Sequence, residues 1–267
     1  MPIAKVRGLD LYWERHGAGE PLLFISGTGG DLRTKPNLFD GPFARAFDVL
    51  GYDQRGLGRT SKPDVDYTMA DYADDAAGLL DAIGWDRVRV VGVSFGGMVA
   101  QEFMLRHPER VSRLVLCCTS PGGAGGASFP FHTIDHLKGE ARARHLIPVS
   151  DTRHDAAWAA ENPEAYAQMI ALASVDPYAD EPGRAMGAWR QILARSHHDT
   201  WDRLGRIDCP VLVAGGRYDG IALPKTLEGM AARIPGARLA MFDGGHLFMI
   251  QDRAAYPAMI SFLNEES

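Results

Sequence analysis

The sequence VRVVGVSFGGMVAQEF, residues 88–103, joins two patterns that belong to different secondary structures. Residues 88–93 are largely β-branched and apolar, which is typical of a buried parallel strand. After Ser94 the apolar residues recur at helical spacing as far as Phe103, and the helix is predicted to end before His107. The pattern therefore places Ser94 on a tight strand-to-helix turn.

Glycines on both sides of Ser94 complete a Gly-x-Ser-x-Gly pattern, with Gly92 two residues before it and Gly96 two residues after it. They let the two limbs of the turn pack together, and the serine is expected at strained backbone angles with its hydroxyl above the sheet. The helix directs its positive N-terminal end at this hydroxyl, where the Phe95 N–H is free to bind an anion. Between a strand and a helix, this pattern indicates a nucleophile elbow; the alternative is a chance Gly/Ser turn.

Length and composition indicate a globular protein with a substantial core. The 267 residues are 46% hydrophobic and 23% charged, enough for one large α/β domain or one domain with an insertion. The net charge of −6 argues against a nucleic-acid partner. Residues 1–6 lack the apolar segment of a signal peptide, and no apolar run approaches transmembrane length. We therefore expect a cytoplasmic protein with no membrane partner. No surface stripe indicates an oligomeric state.

Cysteine usage fits the same compartment. Cys117 and Cys118 lie in a predicted buried strand, and Cys209 precedes another. All three are expected to be reduced core residues, because no Cys-x-x-Cys spacing supports a redox site.

Strands and helices alternate along much of the chain, which predicts a doubly wound, mostly parallel α/β sheet of eight strands. The strands are expected within residues 3–14, 21–25, 47–52, 88–93, 113–118, 211–214 and 237–242, and further helices over 68–83, 224–233 and 252–264.

The alternation breaks at the glycine-rich run 121–126, which is typical of a hinge. No convincing buried strand follows until about residue 207. We interpret residues 127–206 as an inserted helical cap, between core segments 1–126 and 207–267. Its helices are expected around 133–146, from an N-cap at Asp151, after an N-cap at Asn162, and over 182–197.

A serine hydroxyl needs a neutral imidazole to accept its proton and a carboxylate to orient that imidazole. Both partners should follow strands at the carboxyl edge of the sheet, where open α/β sheets bind ligands. Asp219 and His246 each follow a predicted strand, which gives the order Ser94, Asp219, His246 expected for an elbow serine. Asp219 could instead form a turn, with Asp243 as the alternative acid, and His246 could be a core histidine.

A second glycine-rich loop, Ser-Gly-Thr-Gly-Gly-Asp at residues 26–31, follows the strand 21–25. Dinucleotide binding is rejected, because Leu32 stands where the third glycine is required. The loop is instead a candidate source of the second N–H donor for an oxyanion. Asp53 and Arg55, after the next strand, are expected to position a neighbouring loop, although a catalytic role is the alternative.

Five stretches together resemble the α/β-hydrolase fold superfamily over nearly the whole chain. In family order they are SGTGG, YDQRGLGRTSKP, GVSFG, CPVLVAGGRYD and GGHLFMIQDRAAYPAMISFL. The resemblance implies Ser94 as nucleophile, His246 as general base and then acid, and Asp219 as its orienting partner. It also implies an oxyanion hole made by the backbone amides of Phe95 and Thr28.

One departure concerns Ser26, because relatives commonly carry histidine before the loop glycine. The hydrogen bonding of this loop is therefore expected to differ. The serine at the elbow sets the chain apart from haloalkane dehalogenases and epoxide hydrolases, which use aspartate there. The chain is similar to capped small-molecule esterases, 3-oxoadipate-type enol-lactonases and meta-cleavage-product hydrolases, and cofactor-free haloperoxidases share the same three residues.

We expect hydrolysis of a small carboxylic ester or lactone through an acyl-enzyme on Ser94, with no cofactor and no metal. Two alternatives remain: hydrolysis of a C–C bond in a vinylogous diketo acid by the same residues, and a non-catalytic ligand-sensing protein on this fold.

Side chains of the cap are expected to select the substrate. The candidates are Phe129, Phe131, Trp158, Met169 and Trp189, with core packing as the alternative for each. Arg190 could meet a substrate carboxylate or be a solvated helix arginine. His132 and His136 could share a metal from one helix, but no third ligand is apparent. Residues 197–198, both histidine, are interpreted as a solvated helix end.

Overall fold

A computed structural model describes residues 2–265 and contains one eight-stranded sheet. The strands are β1 Ile3–Val6, β2 Leu9–Gly17, β3 Pro21–Ile25, β4 Asp48–Tyr52, β5 Val88–Val93, β6 Val111–Cys117, β7 Val211–Gly216 and β8 Arg238–Phe242. Their order across the sheet is β1-β2-β4-β3-β5-β6-β7-β8. Strand β2 runs antiparallel to β1 and β4, and the other neighbours are parallel. The predicted mostly parallel sheet of eight strands is confirmed.

Ten helices accompany the sheet in residues 2–265. They are α1 Phe43–Ala46, α2 Met69–Ile83, α3 Phe95–Arg106, α4 Gly139–Ser150, α5 Ala156–Glu161, α6 Pro163–Ala173, α7 Arg184–Ser196, α8 Pro224–Arg233, α9 Phe248–Gln251 and α10 Ala255–Leu263. Among these, no helix combines the length and the apolar composition needed to cross a lipid bilayer.

The central strands are buried along consecutive residues, which means that both faces of the sheet are covered. Every residue of β7 is buried, and six of the seven residues of β6 are. Helix α3 packs against β3, β5 and β6, while α8 packs against β7 and β8. This double burial explains why these strands read as continuous apolar runs rather than alternating patterns. Cys117, Cys118 and Cys209 are free and buried, as predicted.

Helix α2 shows how local sequence sets an element's bounds. Thr68 accepts a hydrogen bond from the Asp71 N–H at 3.1 Å, and the Asp71 carboxylate accepts one from the Thr68 N–H at 3.1 Å. This reciprocal capping box satisfies donors that the first helical turn leaves free. The helix ends at Gly84, whose φ of 74° lies in the left-handed region that favours glycine.

The segment between β6 and β7 contains α4 to α7 and, within the described residues, no strand. Apolar side chains there form two small clusters beside the main core. One contains Phe131 and Ile192, and the other contains Ala143, Ile147 and Ile170. Such separate clusters accord with the predicted cap, whose boundaries at residues 127 and 206 stay a prediction.

Asp151 does not begin a helix as predicted. It ends α4, and its carboxylate binds the Arg153 guanidinium at 2.7 Å. Helix α5 begins after Asp155, whose carboxylate accepts the Trp158 N–H at 2.8 Å. Both aspartates suit an N-cap locally, and the ion pair with Arg153 shows that Asp151 has another partner.

The helix predicted around residues 133–146 begins only at Gly139. Residues Phe131–Ile134 form a 3₁₀ turn, and His136 lies in the turn that follows. His132 and His136 therefore do not share a face of one helix, and that premise for a shared metal was wrong.

Candidate active site

The backbone of Ser94 is strained, with φ 55° and ψ −115°. A non-glycine residue in so sparsely populated a region costs about 1–3 kcal/mol. Neighbouring groups hold it there: the Ser94 N–H donates to the Cys117 carbonyl at 2.8 Å, and its own carbonyl accepts from Thr119 Oγ1 at 2.8 Å. The predicted tight turn and strained serine are therefore present.

Two glycines make this turn possible. A Cβ on Gly92 would overlap the Gly96 carbonyl, and a Cβ on Gly96 would overlap the carbonyls of Ile25 and Ser26. Helix α3 thus begins in direct backbone contact with the end of β3, which any larger side chain would prevent.

The three residues predicted as a triad form one hydrogen-bonded chain. Ser94 Oγ lies 2.9 Å from His246 Nε2, and His246 Nδ1 lies 2.8 Å from Asp219 Oδ2. Asp219 is 2% exposed, and its second carboxylate oxygen accepts the N–H groups of Ile221 at 2.7 Å and Ala222 at 3.0 Å. A carboxylate held on both oxygens can fix the orientation and tautomer of the imidazole.

The end of helix α4 supports the loops that carry the acid and the imidazole. The Ser150 carbonyl accepts the His246 N–H at 2.6 Å, and the Val149 carbonyl accepts the Gly220 N–H at 3.0 Å. Asp243, the alternative acid, has a side chain that is 70% exposed and pairs with arginine at the surface. The structure therefore places Asp219, not Asp243, beside the imidazole.

Backbone donors lie beside the serine hydroxyl. Phe95 is the first residue of α3, so its N–H has no carbonyl partner within the helix. Gly27 borders the site, because a Cβ on it would lie 3.4 Å from Ser94 Cβ. Thr28 follows Gly27 in the same loop. Phe95 is thus adjacent to the serine in sequence, and Thr28 is adjacent to a glycine that borders it. Their role as the two oxyanion donors stays a prediction.

Side chains of helix α7 hold this loop from above. Gln191 Oε1 accepts the Gly29 N–H at 2.8 Å, and Arg195 Nη1 donates to Thr28 Oγ1 at 2.7 Å. Because Gln191 and Arg195 are four residues apart, they lie on the same helical face. Neither residue is indicated by a pattern in the sequence.

The core holds the same loop from below. Ser26 replaces the histidine expected from the resemblance, and its carbonyl accepts Gln54 Nε2 at 2.8 Å. The Asp53 carboxylate accepts the Leu32 N–H at 2.8 Å, just beyond the loop. Asp53 thus has the positioning contact that its place in the sequence suggested.

One cavity is lined by the loop, and a second is lined by Arg195, which contacts the loop. The larger, of about 640 Å³, is lined by residues 26–32 together with His246, Leu247 and Ile250. The smaller, of about 70 Å³, is lined mostly by residues of the cap segment. Its lining includes Ser120, Ser128, Phe129, Phe131, Arg195 and His198. Arg195 joins the two spaces, because it lines the smaller cavity and contacts Thr28, which lines the larger one.

The predicted substrate residues fall into two groups. Phe129 and Phe131 line the smaller cavity. Trp158 instead contacts the tilted ring of His154, with ring centroids 4.4 Å apart. Met169 packs on a small cluster of the cap segment, and Trp189 lines a separate groove of that segment. These positions favour a packing role, and not substrate contact, for Trp158, Met169 and Trp189.

Arg190 agrees with the alternative of a surface helix arginine, whereas the interpretation of His198 needs correction. Arg190 forms ion pairs at the surface with Asp64, at 3.2 Å, and with Asp66. His198 is buried, not solvated, and neither of its ring nitrogens makes a hydrogen bond of ordinary geometry. Burial and the Arg203 charge lower the pKa of His198 to about 3, against the opposing effect of the nearby Ser120 backbone. No local pattern distinguishes a buried helix end from a solvated one.

Potential metal ligands gather at one place in residues 2–265. Cys118, Asp219 and His246 offer ligand atoms that all lie within 4.8 Å of one another. Asp219 and His246 already bond each other, and burial keeps the pKa of the Cys118 thiol well above its usual value. This set is therefore best described as part of the serine–histidine–aspartate chain.

Comparison with known proteins agrees with the architecture. A family model described as the alpha/beta hydrolase fold matches residues 20–252. The chain belongs to the α/β-hydrolase fold family. This confirms the family that the five sequence stretches suggested.

Two curated relatives and one solved structure illustrate the range of this family. The chain is 30% identical over 253 residues to a poly(3-hydroxyalkanoate) depolymerase of Ectopseudomonas oleovorans, covering 92% of this chain and 85% of the relative. It is 32% identical over 260 residues to a 2-hydroxymuconate semialdehyde hydrolase of Pseudomonas sp. (strain CF600), covering 93% and 88%. The enol-lactonase structure from Burkholderia xenovorans LB400 superposes with a TM-score of 0.79 at 26% identity, covering 99% of this chain and 100% of that one.

Proposed function

We propose that this protein is a serine hydrolase that cleaves a small carboxylic ester or lactone through an acyl-enzyme on Ser94. The observation that carries the proposal is the continuous hydrogen-bonded chain from Ser94 through His246 to Asp219. Relatives named as a depolymerase and an enol-lactonase support a hydrolase acting on carboxylic esters.

In the proposed first half-reaction, His246 Nε2 accepts the proton of Ser94 Oγ as the oxygen attacks the substrate carbonyl. Asp219 stabilises the imidazolium that forms, and the N–H groups of Phe95 and Thr28 bind the oxyanion. His246 then gives its proton to the leaving alcohol, and the acyl group stays on Ser94. In the second half, His246 deprotonates a water that attacks the acyl-enzyme, and the same donors bind the second oxyanion. That intermediate collapses with cleavage of the bond from Ser94 Oγ to the acyl carbon, His246 returns its proton to Ser94 Oγ, and the carboxylic acid is released.

Turnover of p-nitrophenyl acetate tests this proposal. Wild-type protein should release p-nitrophenol catalytically, whereas Ser94→Ala should lose about 10³-fold or more of kcat. The rate should rise with increasing pH, because only the neutral imidazole of His246 can accept the serine proton. Equal turnover by Ser94→Ala, or a flat pH profile, would refute it.

C–C bond hydrolysis by the same residues is a second candidate, favoured by the 32% identity to a 2-hydroxymuconate semialdehyde hydrolase. A C–C hydrolase would bleach a coloured dienol substrate and handle simple esters poorly. A ligand-sensing protein, the third possibility, would bind its ligand without turnover. A cytoplasmic location also remains a proposal, supported by three free, buried cysteines.

A further inference from the structure

Arg195 is a buried charge with no carboxylate in direct contact, although the charge of Asp219 acts on it from a greater distance. Its side chain is 6% exposed, and no carboxylate among residues 2–265 forms an ion pair with it. Of the five N–H donors of a guanidinium, one binds Thr28 Oγ1 at 2.7 Å and one binds Ser128 Oγ. The Nε–H has no acceptor in the described structure. The protein therefore buries a cation whose donors it only partly satisfies.

Other buried arginines of this protein do have carboxylate partners. Arg55 binds Asp75 at 2.6 Å, and Arg113 lies 3.6 Å from a Glu265 carboxylate oxygen. Burial of an ion is costly unless it is paired and hydrogen-bonded, and the fold meets that requirement at these two sites. The lack of a partner at Arg195 is thus a local exception, and an anionic ligand would remove it.

The cavity beside Arg195 contains further polar atoms without partners. Ser120 Oγ and both ring nitrogens of His198 lack hydrogen bonds of ordinary geometry, and both residues line the same cavity as Arg195. Buried polar groups are almost always paired in folded proteins. The Phe131 ring, 4.5 Å from the guanidinium, closes one side of the space. The cavity therefore offers a cation and neutral donors to a polar group from outside the chain.

The charge and size of this cavity indicate which chemical group it can bind. Burial lowers the pKa of Arg195 to about 10, so the guanidinium still carries its charge at neutral pH, while burial keeps His198 neutral. A single positive charge matches a monoanion. A carboxylate is planar and fits the edge of a guanidinium. A carboxylate group is also small enough for a cavity of about 70 Å³, because roughly 10–15 Å³ of such volume is enough to hold one water molecule.

We propose that Arg195, together with Ser120 and Ser128, binds a free carboxylate of the substrate whose ester or lactone carbonyl lies at Ser94. The hydrogen bond from Arg195 to Thr28 connects this carboxylate site to the loop beside the nucleophile. The substrate class is then a half-ester of a short dicarboxylic acid, or a lactone that bears a carboxylate arm. This inference rests on the proposed hydrolase function, because only that function assigns the ester or lactone carbonyl of the substrate to Ser94.

Matched ester pairs test the inference. The monoethyl esters of succinate, glutarate and adipate carry a carboxylate where the ethyl esters of butanoate, pentanoate and hexanoate carry a methyl group. The wild-type kcat/KM should be higher for the half-ester, which carries the carboxylate, than for the neutral ester in at least one pair. Arg195→Gln should lower the acid-to-neutral ratio by about 30-fold or more, since hydrogen bonds to charged groups are worth about 1.5–3 kcal/mol. Arg195→Lys, which keeps the charge, should lower it less.

Two control variants separate charge recognition from support of the loop. Thr28→Val removes the acceptor of the Arg195 hydrogen bond but not the charge, and it should slow both esters alike. Arg190→Gln removes a half-buried arginine of the same helix that pairs with aspartates at the surface, and it should leave the ratio within about threefold. The inference would be overturned if Arg195→Gln left the acid-to-neutral ratio of kcat/KM unchanged. It would also be overturned if the wild-type protein favoured the acid in none of the pairs.

Binding to the Ser94→Ala protein gives a readout independent of turnover. Calorimetric titration with succinate, glutarate and adipate should show saturable binding of at least one dianion. Arg195→Gln in the same background should weaken it about tenfold or more, and Arg190→Gln should not. Binding with this dependence supports the carboxylate site even if no ester is hydrolysed, in which case only the proposed function fails. Ester hydrolysis without any such binding would overturn the carboxylate site and leave the proposed function standing.

Discussion

Individual residues at this site are held in place by hydrogen bonds whose evident effect is to fix their orientation. Ser94 keeps a positive φ because a strand carbonyl and a threonine hydroxyl both bind its backbone. Asp219 uses one oxygen for the imidazole and the other for two backbone N–H groups. Donors and acceptors that are already oriented need no rearrangement when charge develops in a reaction. His198 and Arg195 show the opposite state, with buried polar atoms left unpaired.

The buried His198 predicts acid sensitivity. Its pKa is lowered to about 3 in the folded protein, whereas an unfolded histidine titrates near about 6.5. Below that value the unfolded chain binds more protons than the folded one, so the free energy of unfolding falls as the pH drops from about 6.5 towards 3. Between about pH 7.5 and pH 5 this group should remove about 2 kcal/mol, measured by urea unfolding.

The variant His198→Leu should flatten this pH dependence, because it removes the titrating group. His132→Gln serves as the matched control, since His132 is an exposed histidine of the same segment. Equal losses of unfolding free energy in wild type and His198→Leu would contradict the assignment.

Among the elements, helix α7 has the most direct effect on the site. Its residues Gln191 and Arg195 bind the loop 27–30 from the side opposite Ser26 and Gln54. The loop has few side chains of its own, so its conformation depends on these external partners. A helix of the inserted segment therefore fixes backbone N–H groups that the core sheet alone does not fix.

Replacement of Gln191 by Leu should misplace the loop. Since one oxyanion donor is worth about 3 kcal/mol when lost, a partial misalignment should lower kcat by about tenfold and change KM little. Steady-state kinetics with p-nitrophenyl acetate measure the effect. Ser196→Ala, an exposed change on the same helix, should be neutral, and an unchanged kcat in Gln191→Leu would show that the loop does not need this contact.

Local sequence was sufficient to predict the elements that carry the three central residues. Ser94, Asp219 and His246 each follow a strand at a turn whose glycines and apolar neighbours are visible within a few residues. Parallel strands then bring these turns to one edge of the sheet, so the prediction needed no long-range information.

The contacts of helix α7 could not be predicted in the same way. Arg190 and Arg195 lie on one amphipathic helix, and which of them faces the core depends on how that helix packs. The sequence analysis considered Arg190, which proves to pair with aspartates at the surface. The predicted N-cap at Asp151 was wrong partly for the same reason, since its carboxylate binds the distant Gln251 at 3.0 Å as well as the nearby Arg153.

At the scale of the whole molecule, an ion network ties the cap segment to the core. Arg33 binds Asp31 at 2.7 Å and also Glu181, and it lies over the Tyr178 ring at 3.6 Å. Arg184 adds a second contact to Asp31 at 3.2 Å. The charges of Asp31 and Arg33 are largely buried, so salt should screen them less than it screens pairs at the surface. These contacts connect residues 176–184 to the chain just beyond the loop beside Ser94.

The variant Glu181→Gln should loosen this connection. Amide hydrogen exchange in residues 174–183 should become faster, while the β-strands keep their protection, because only the link to Arg33 is weakened. Mass spectrometry of deuterated peptides measures this. Glu164→Gln, an exposed change on α6, is the control. Exchange equal to wild type would mean that the network does not restrain the segment.

The central claim, that Ser94 is the nucleophile activated by His246, is tested most directly by covalent labelling. The protein is incubated with a fluorophosphonate ester, and the modified peptide is identified by mass spectrometry. We expect one phosphonyl group on Ser94, no label in Ser94→Ala, and labelling slowed by about 10³-fold or more in His246→Ala. A label on another residue, or equal labelling of wild type and His246→Ala, would contradict the account.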